Sequence, residues 1–280
     1  MFDTFLIGLR GGLAAAVLVG VLASHLVRAG RRGALRAMGG GAGAAVAMAL
    51  GFGCALTFGS QELTFKAREA YGGWLSLAAV VLVTWVAAGM VREAQAQPPG
   101  ESAPAARPHA SVLAAAAFFV VGSCGVETAL FFWGTVRASG DGTHAPLAGA
   151  VLGLLMAVAL GWLCARGLVR AGQAAFPRWA GATTAVVTAG VLANGVRHLQ
   201  EAELLGGLQA KAYDIAATFP PDSWYVVLLD AAFGFRLSPT VTQIVVWALY
   251  LMAVLALLFV PSRGRPRLAG ARRRAPFGPR

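Results

Sequence analysis

A chain of 280 residues that is 58% hydrophobic and only 12% charged is too apolar for a soluble domain, where about a quarter of residues carry charge. With a mean hydropathy of +0.67, it reads as an all-α polytopic membrane protein. The formal net charge of +11 does not indicate nucleic acid, because seven of the 23 basic residues lie after Pro261. A basic tail beside a membrane helix marks the cytoplasmic face and anionic lipid.

The first apolar run covers about Thr4 to Val27 and is broken by Arg10. Asp3 precedes it and the cluster Arg28, Arg31, Arg32, Arg36 follows it. That is the wrong way round for a signal peptide, and it predicts an uncleaved helix with its N-terminus outside. Run two is about Ala37 to Phe58; its GGGAGA stretch is helix-packing composition. A polar connection leads to run three, about Tyr71 to Val91, with Trp74 and Trp85 as interfacial anchors. The Pro-rich stretch from Arg92 to His109 is expected to be a disordered linker. Run four extends from Ser111 to Val136, run five from about Pro146 to Val169, and run six from about Trp179 to Val196. Within the outer segment 197–239, the apolar piece Trp224 to Phe235 is too short to span and is expected to be interfacial or re-entrant. Run seven is about Thr240 to Val260, and a basic tail occupies 262–280.

Seven spans with the N-terminus outside place 16 Lys and Arg on the inner segments and 6 on the outer ones. This bias fits a cytoplasmic C-terminus. Phe5 to Ala16 aligns with Phe118 to Ala129 at an offset of 113 residues, on helices that run in opposite directions. The expected architecture is therefore two inverted three-helix repeats, about 4–91 and 111–196, joined by the linker 92–110 and followed by a seventh helix. Together these form one transmembrane domain, 1–261. Run four also holds Glu127, the only acid that can be placed deep in an apolar run from sequence. Burying a carboxylate there costs at least about 2.5–3.5 kcal/mol on insertion scales, which makes it a functional-site candidate.

The opening MFDTFLIGLRGGL, the basic cluster after run one, VLVTW at 81–85, FFVVGSCGVET at 118–128 and VWALYL at 246–251 resemble the high-affinity iron permease family. That family includes bacterial ferrous iron uptake permeases and fungal oxidase-coupled permeases. The resemblance covers Met1 to about Pro261. It implies a plasma-membrane transporter with iron as its substrate, no other cofactor, and partners among periplasmic or extracellular iron-binding or oxidase proteins. The family signature is Arg-Glu-x-x-Glu in helices one and four, whose glutamates are understood as the iron path. Glutamates at i and i+3 share one helical face, and two such faces offer the oxygen-rich surroundings that hard cations prefer.

This chain departs from that signature. Helix one reads Arg10-Gly11-Gly12-Leu13-Ala14 and helix four reads Ser123-Cys124-Gly125-Val126-Glu127, so one signature glutamate of four is left. Near the start of helix three, where the family tends to carry a glutamate, stands Gly72. The resemblance thus maps the transport path onto Arg10, Gly11, Ala14, Ser123, Cys124 and Glu127, with Glu127 as the metal ligand. Arg10 either snorkels outward or pairs with Glu127 across the repeat. Ser123 and Cys124 are expected to be packing residues first. Asp230, Glu201 and Glu203 are expected to be solvated, or to form an acidic vestibule. His25, His109, His144 and His198 show no metal-ligand spacing, and Cys54, Cys124 and Cys164 imply no disulfide framework. No nucleophile elbow, Walker loop or dinucleotide fingerprint suggests an enzyme. The alternative to a transporter is a non-transporting relative serving as a structural or regulatory membrane subunit.

Overall fold

The computed structural model describes residues 2–58, 64–96, 109–139, 145–170, 176–220 and 223–259. These residues form eight helices: α1 (Phe2–Arg28), α2 (Arg32–Phe58), α3 (Phe65–Ala96), α4 (Ala110–Ser139), α5 (Ala145–Arg170), α6 (Phe176–Glu201), α7 (Trp224–Phe233) and α8 (Val241–Phe259). Among them there is no strand beyond an isolated bridge between Lys211 and Thr240.

Helices α1 to α6 are long and apolar enough to cross a membrane, whereas α8 is a shorter apolar helix. The expectation of seven spans is narrowed accordingly. At 19 residues, α8 falls at the limit of about 20 that a bilayer core requires. Residues 92–96, expected to open the disordered linker, instead continue α3 to Ala96, while the linker residues 97–108, the loop 140–144 with His144, and the tail 262–280 lie outside the described residues.

Other boundaries also differ from the sequence reading because polar residues continue helices that hydropathy had ended. The basic cluster after run one is no open loop. Gly30, at φ +67, closes α1, and Arg31 N–H donates to Leu26 O at 3.0 Å, so Arg32 and Arg36 already belong to α2. Helix α3 starts at Phe65, and it winds Arg68 and Glu69 into its first turns. Helix α6 runs on to Glu201, carrying Arg197, His198 and Glu201 with it. The last two changes build the site.

Packing pairs α1 with α5, α2 with α4, and α3 with α6, while α1 also meets α4 near the centre. Small residues let these backbones approach. A Cβ on Gly20 would stand 2.7 Å from Gly161 O, and one on Gly125 would stand 2.9 Å from the Ala49 Cβ. Leu18, Val83 and Val120 fill the middle of the bundle, and Leu22, Leu26 and Leu113 fill the end away from the α1 N-terminus. Leu50 on α2 and Val151, Leu155 and Leu163 on α5 are exposed, as lipid-facing surfaces are in a membrane protein. Helix α8 is seated by a capping box. Thr240 N–H donates to Gln243 Oε1 at 2.9 Å, Gln243 N–H donates to Thr240 Oγ1 at 3.3 Å, and Gln243 Nε2 reaches Ala193 O on α6 at 3.1 Å.

Candidate functional site

Positions 10, 11 and 14 share one face of α1, and 123, 124 and 127 share one face of α4, since residues three and four apart are neighbours on a helix. The two faces meet. Arg10, Gly11, Ala14, Ser123, Cys124 and Glu127 all line one cavity of about 60 Å³, which α6 and α7 close. A second cavity of about 240 Å³ adjoins it and shares Arg10, Glu127, Asn194 and Arg236. Arg68, Glu69, His198 and Glu201 complete its wall. The α1–α4 approach depends on Gly11. A Cβ there would lie 2.5 Å from Thr128 Oγ1, so a glutamate at position 11 would have to displace that side chain.

The ion pair between Arg10 and Glu127 does not form. Arg10 Nε instead lies 3.0 Å from Asp230 Oδ2, and Arg236 Nε stands 3.9 Å from the other oxygen of Asp230. Of the two expectations for Asp230, solvated or part of an acidic vestibule, the solvated one fails: its side chain is only 15% exposed and lines the cavity. The reason is α7, whose ten residues turn Asp230 inward. Gly234 ends α7 at φ +67, its N–H donating to Asp230 O at 2.8 Å. A Cβ on Gly190 of α6 would come within 2.9 Å of Gly234 N. Only this pair of glycines lets the C-terminal end of α7 lie so close to α6. Burial pushes the Arg236 guanidinium down to about 10 despite the opposing pull of Asp230, so it remains a cation at neutral pH.

Glu127 points into the cavity with 40% of its side chain exposed there. Its neighbours are on α6. Asn194 Nδ2 donates to Glu127 Oε2 at 3.3 Å, and His198 Nε2 lies 4.0 Å from the same oxygen. Asn194 Oδ1 accepts from Arg236 Nη2 at 2.5 Å. The amide orientation is therefore fixed from both ends, and Nδ2 also meets His198 Nε2 at 3.1 Å. On its far side, His198 Nδ1 contacts Glu69 Oε2 at 2.5 Å. Glu201 is held by Arg197 at 2.5 Å, and its carboxylate, Glu69 and His198 bring ligand atoms within 4.8 Å of one another.

Asp230 and Glu201 fit the acidic-vestibule alternative, whereas Glu69, Asn194, His198 and Arg236 are site residues that the sequence reading does not single out. Glu69 stands one turn before Gly72, and a Cβ on Gly72 would lie 3.6 Å from the His198 ring, so the space at that turn is filled by the imidazole. His198 shows no metal-ligand spacing with the other histidines, and Glu201 reads as solvated or part of an acidic vestibule. Their i, i+3 spacing, with Asn194 one turn earlier, was the available signal. Glu203 is solvated as expected, its side chain 69% exposed and paired with Lys66. His25 stacks on Phe176 with ring centroids 6.2 Å apart, and His109 is exposed. Neither lines the two cavities.

A bundle of apolar helices enclosing cavities lined by ionic and hydrogen-bonding side chains defines a multi-pass membrane protein with a polar site between its helices. Residues 1–264 match the iron permease FTR1 family, and the chain belongs to that family. It is 32% identical to the ferrous iron permease EfeU of Escherichia coli O157:H7 over 269 residues, covering 94% of this chain and 97% of that relative. The same protein of Escherichia coli O6:H1 is equally similar. The ferrous iron permease EfeU of Yersinia pestis is 29% identical over 269 residues, or 94% of this chain and 95% of that relative. No solved structure matches the chain.

Proposed function

We propose that the chain is an iron transporter and not an enzyme, and that iron crosses the bilayer through the cavity between α1 and α4. The observation that carries this reading is the convergence of the two signature-bearing helix faces on one cavity, with Glu127 aimed into it. Membership of the iron permease family and the names of the relatives support the substrate. Glu127 takes the ion, Arg10 and Asp230 balance charge beside it, and Ser123 and Cys124 line the way past it. The reading includes an N-terminus outside the plasma membrane, α8 as a seventh crossing, a cytoplasmic tail, and delivery of iron by a periplasmic or extracellular binding or oxidase protein. The packing supports inverted repeats. Exchanging α1 with α4, α2 with α5 and α3 with α6 converts the α1–α5 contact into α4–α2 and leaves α1–α4 and α3–α6 unchanged.

The test is iron accumulation in cells stripped of other iron uptake. The native chain is expected to accumulate iron, and Glu127→Gln to reduce uptake at least tenfold. A second reading, the non-transporting relative, is favoured by α1, which offers the cavity no carboxylate. It predicts no native uptake, with uptake regained when Gly11→Glu and Ala14→Glu are combined with Thr128→Ala to clear the space at position 11.

A further inference from the structure

The imidazole of His198 lies between two carboxylates, Glu69 at Nδ1 and Glu127 at Nε2. Asn194 fixes which nitrogen carries the proton. With its oxygen taken by Arg236, the amide presents N–H to both Glu127 and His198 Nε2. Nε2 is then the acceptor, so Nδ1 carries the hydrogen and donates it to Glu69. This arrangement matches the carboxylate–histidine pairing found behind metal-bound imidazoles, in which the second carboxylate sets tautomer, ring angle and basicity.

We infer that His198 is a metal ligand: its Nε2 and the Glu127 carboxylate together hold a partly hydrated divalent first-row ion, with Glu69 as the positioning residue. The inference rests on the cavity being an iron path and names how the path holds its cargo. Ligand atoms about 2.1 Å from such an ion stand at most about 4.2 Å apart across it. The 4.0 Å between Nε2 and Oε2 therefore admits an ion without backbone movement, in exchange for the Asn194 Nδ2 that bridges the same two atoms in its absence. Three of the neighbouring arginines have acidic partners of their own. Arg10 and Arg236 pair with Asp230, and Arg197 pairs with Glu201. The adjoining cavity of about 240 Å³ has room for several waters at about 30 Å³ each, so the ion need not shed its whole hydration shell. One nitrogen and a carboxylate form a mixed donor set suited to ferrous iron. In this way α6 supplies a ligand where α1 has lost its two glutamates.

The test uses the full chain in lipid nanodiscs with Mn²⁺ as probe, read by electron-spin-echo modulation and by equilibrium binding. The native protein is expected to show modulation from a coordinated ¹⁴N, a readout that depends on no variant folding correctly. His198→Ala removes that signal and weakens Mn²⁺ roughly tenfold or more, and Glu127→Gln weakens it to a similar degree. Glu69→Gln weakens it less and alters the ¹⁴N coupling, a change that a merely structural role would not produce. Glu201→Gln stays within about threefold. Absence of ¹⁴N modulation in the native protein overturns the inference. So does a loss in Glu201→Gln but not in Glu127→Gln, which would put the ion on the other side of the ring. Failure of the transport reading is distinguishable: native chain that binds Mn²⁺ through nitrogen but accumulates no iron leaves the site standing. Uptake that is lost in Glu127→Gln yet unaffected by His198→Ala removes the site and leaves the transport.

Discussion

The two walls of the cavity are built on different terms. Helix α1 brings a face that is all backbone and small side chains apart from Arg10, and that face is fixed by close packing against α4 and α5. The opposite wall, from the start of α3, the end of α6, and α7 with the turn after it, is crowded with ionic and amide groups that hold one another. Arg10 is the only charged group α1 contributes, and its partner Asp230 comes from the opposite wall. Where one helix presents no carboxylate, the cavity stays polar because neighbouring helix ends supply ionic groups, at positions set by packing and not by a local motif.

The sharpest way to break this contrast is to cut the link between the walls. Asp230→Asn leaves Arg10 and Arg236 side by side with no carboxylate between them. Removing one partner of a buried pair costs about 3–5 kcal/mol, and the half-exposed Arg10 lowers that to about 2–4 kcal/mol. Iron uptake is expected to fall at least tenfold, and the thermal midpoint of the purified protein by several degrees. A fully active, fully stable Asp230→Asn chain would mean that the two walls are independent.

The next effect separates two glycines with the same backbone angle. Gly30 and Gly234 both sit at φ +67, but a Cβ on Gly30 meets nothing within 4 Å, whereas one on Gly234 runs into Gly190 of α6. Gly30→Ala is expected to cost only the left-handed strain, about 1–2 kcal/mol. Gly234→Ala adds a backbone collision, for a total of about 3 kcal/mol or more, and disturbs uptake by moving Asp230. Equal melting shifts for the two variants would show that the seating of α7 on α6 does not matter.

Thr240→Ala is smaller again. It removes half of the capping box that seats α8 against α6 and the 3.0 Å bond from Thr240 Oγ1 to the buried Gln200 Oε1, an expected loss of about 2 kcal/mol in melting experiments with uptake retained. Smallest is Lys66→Ala, which breaks the exposed pair with Glu203 beside the cavity. Such pairs contribute about 0–1 kcal/mol, so neither uptake nor melting should change measurably. A large effect would extend the functional wall outward beyond Glu201.

Much of this was legible from the chain. Apolar runs gave the long helices, the blocks around Arg10 and Glu127 gave the family resemblance, and the six residues it mapped do line one cavity. What stayed hidden was the chemistry of the other wall. Glu69, His198 and Glu201 stand where hydropathy falls below the level of a membrane span, and so they were read as loop and solvent. Asp230 sits in an apolar piece too short to orient by periodicity, and its direction depends on a glycine contact with α6.

The sequence by itself determined that this is a helical membrane protein, where its long helices lie, and that Glu127 needs an explanation. Length, hydropathy and a carboxylate in an apolar run are properties of contiguous residues. Only the tertiary structure decided that Arg10 answers Asp230 and that Glu127 answers Asn194 and His198. Those partners are far apart in the chain, and their meeting depends on how closely small residues let α1, α4, α6 and α7 approach.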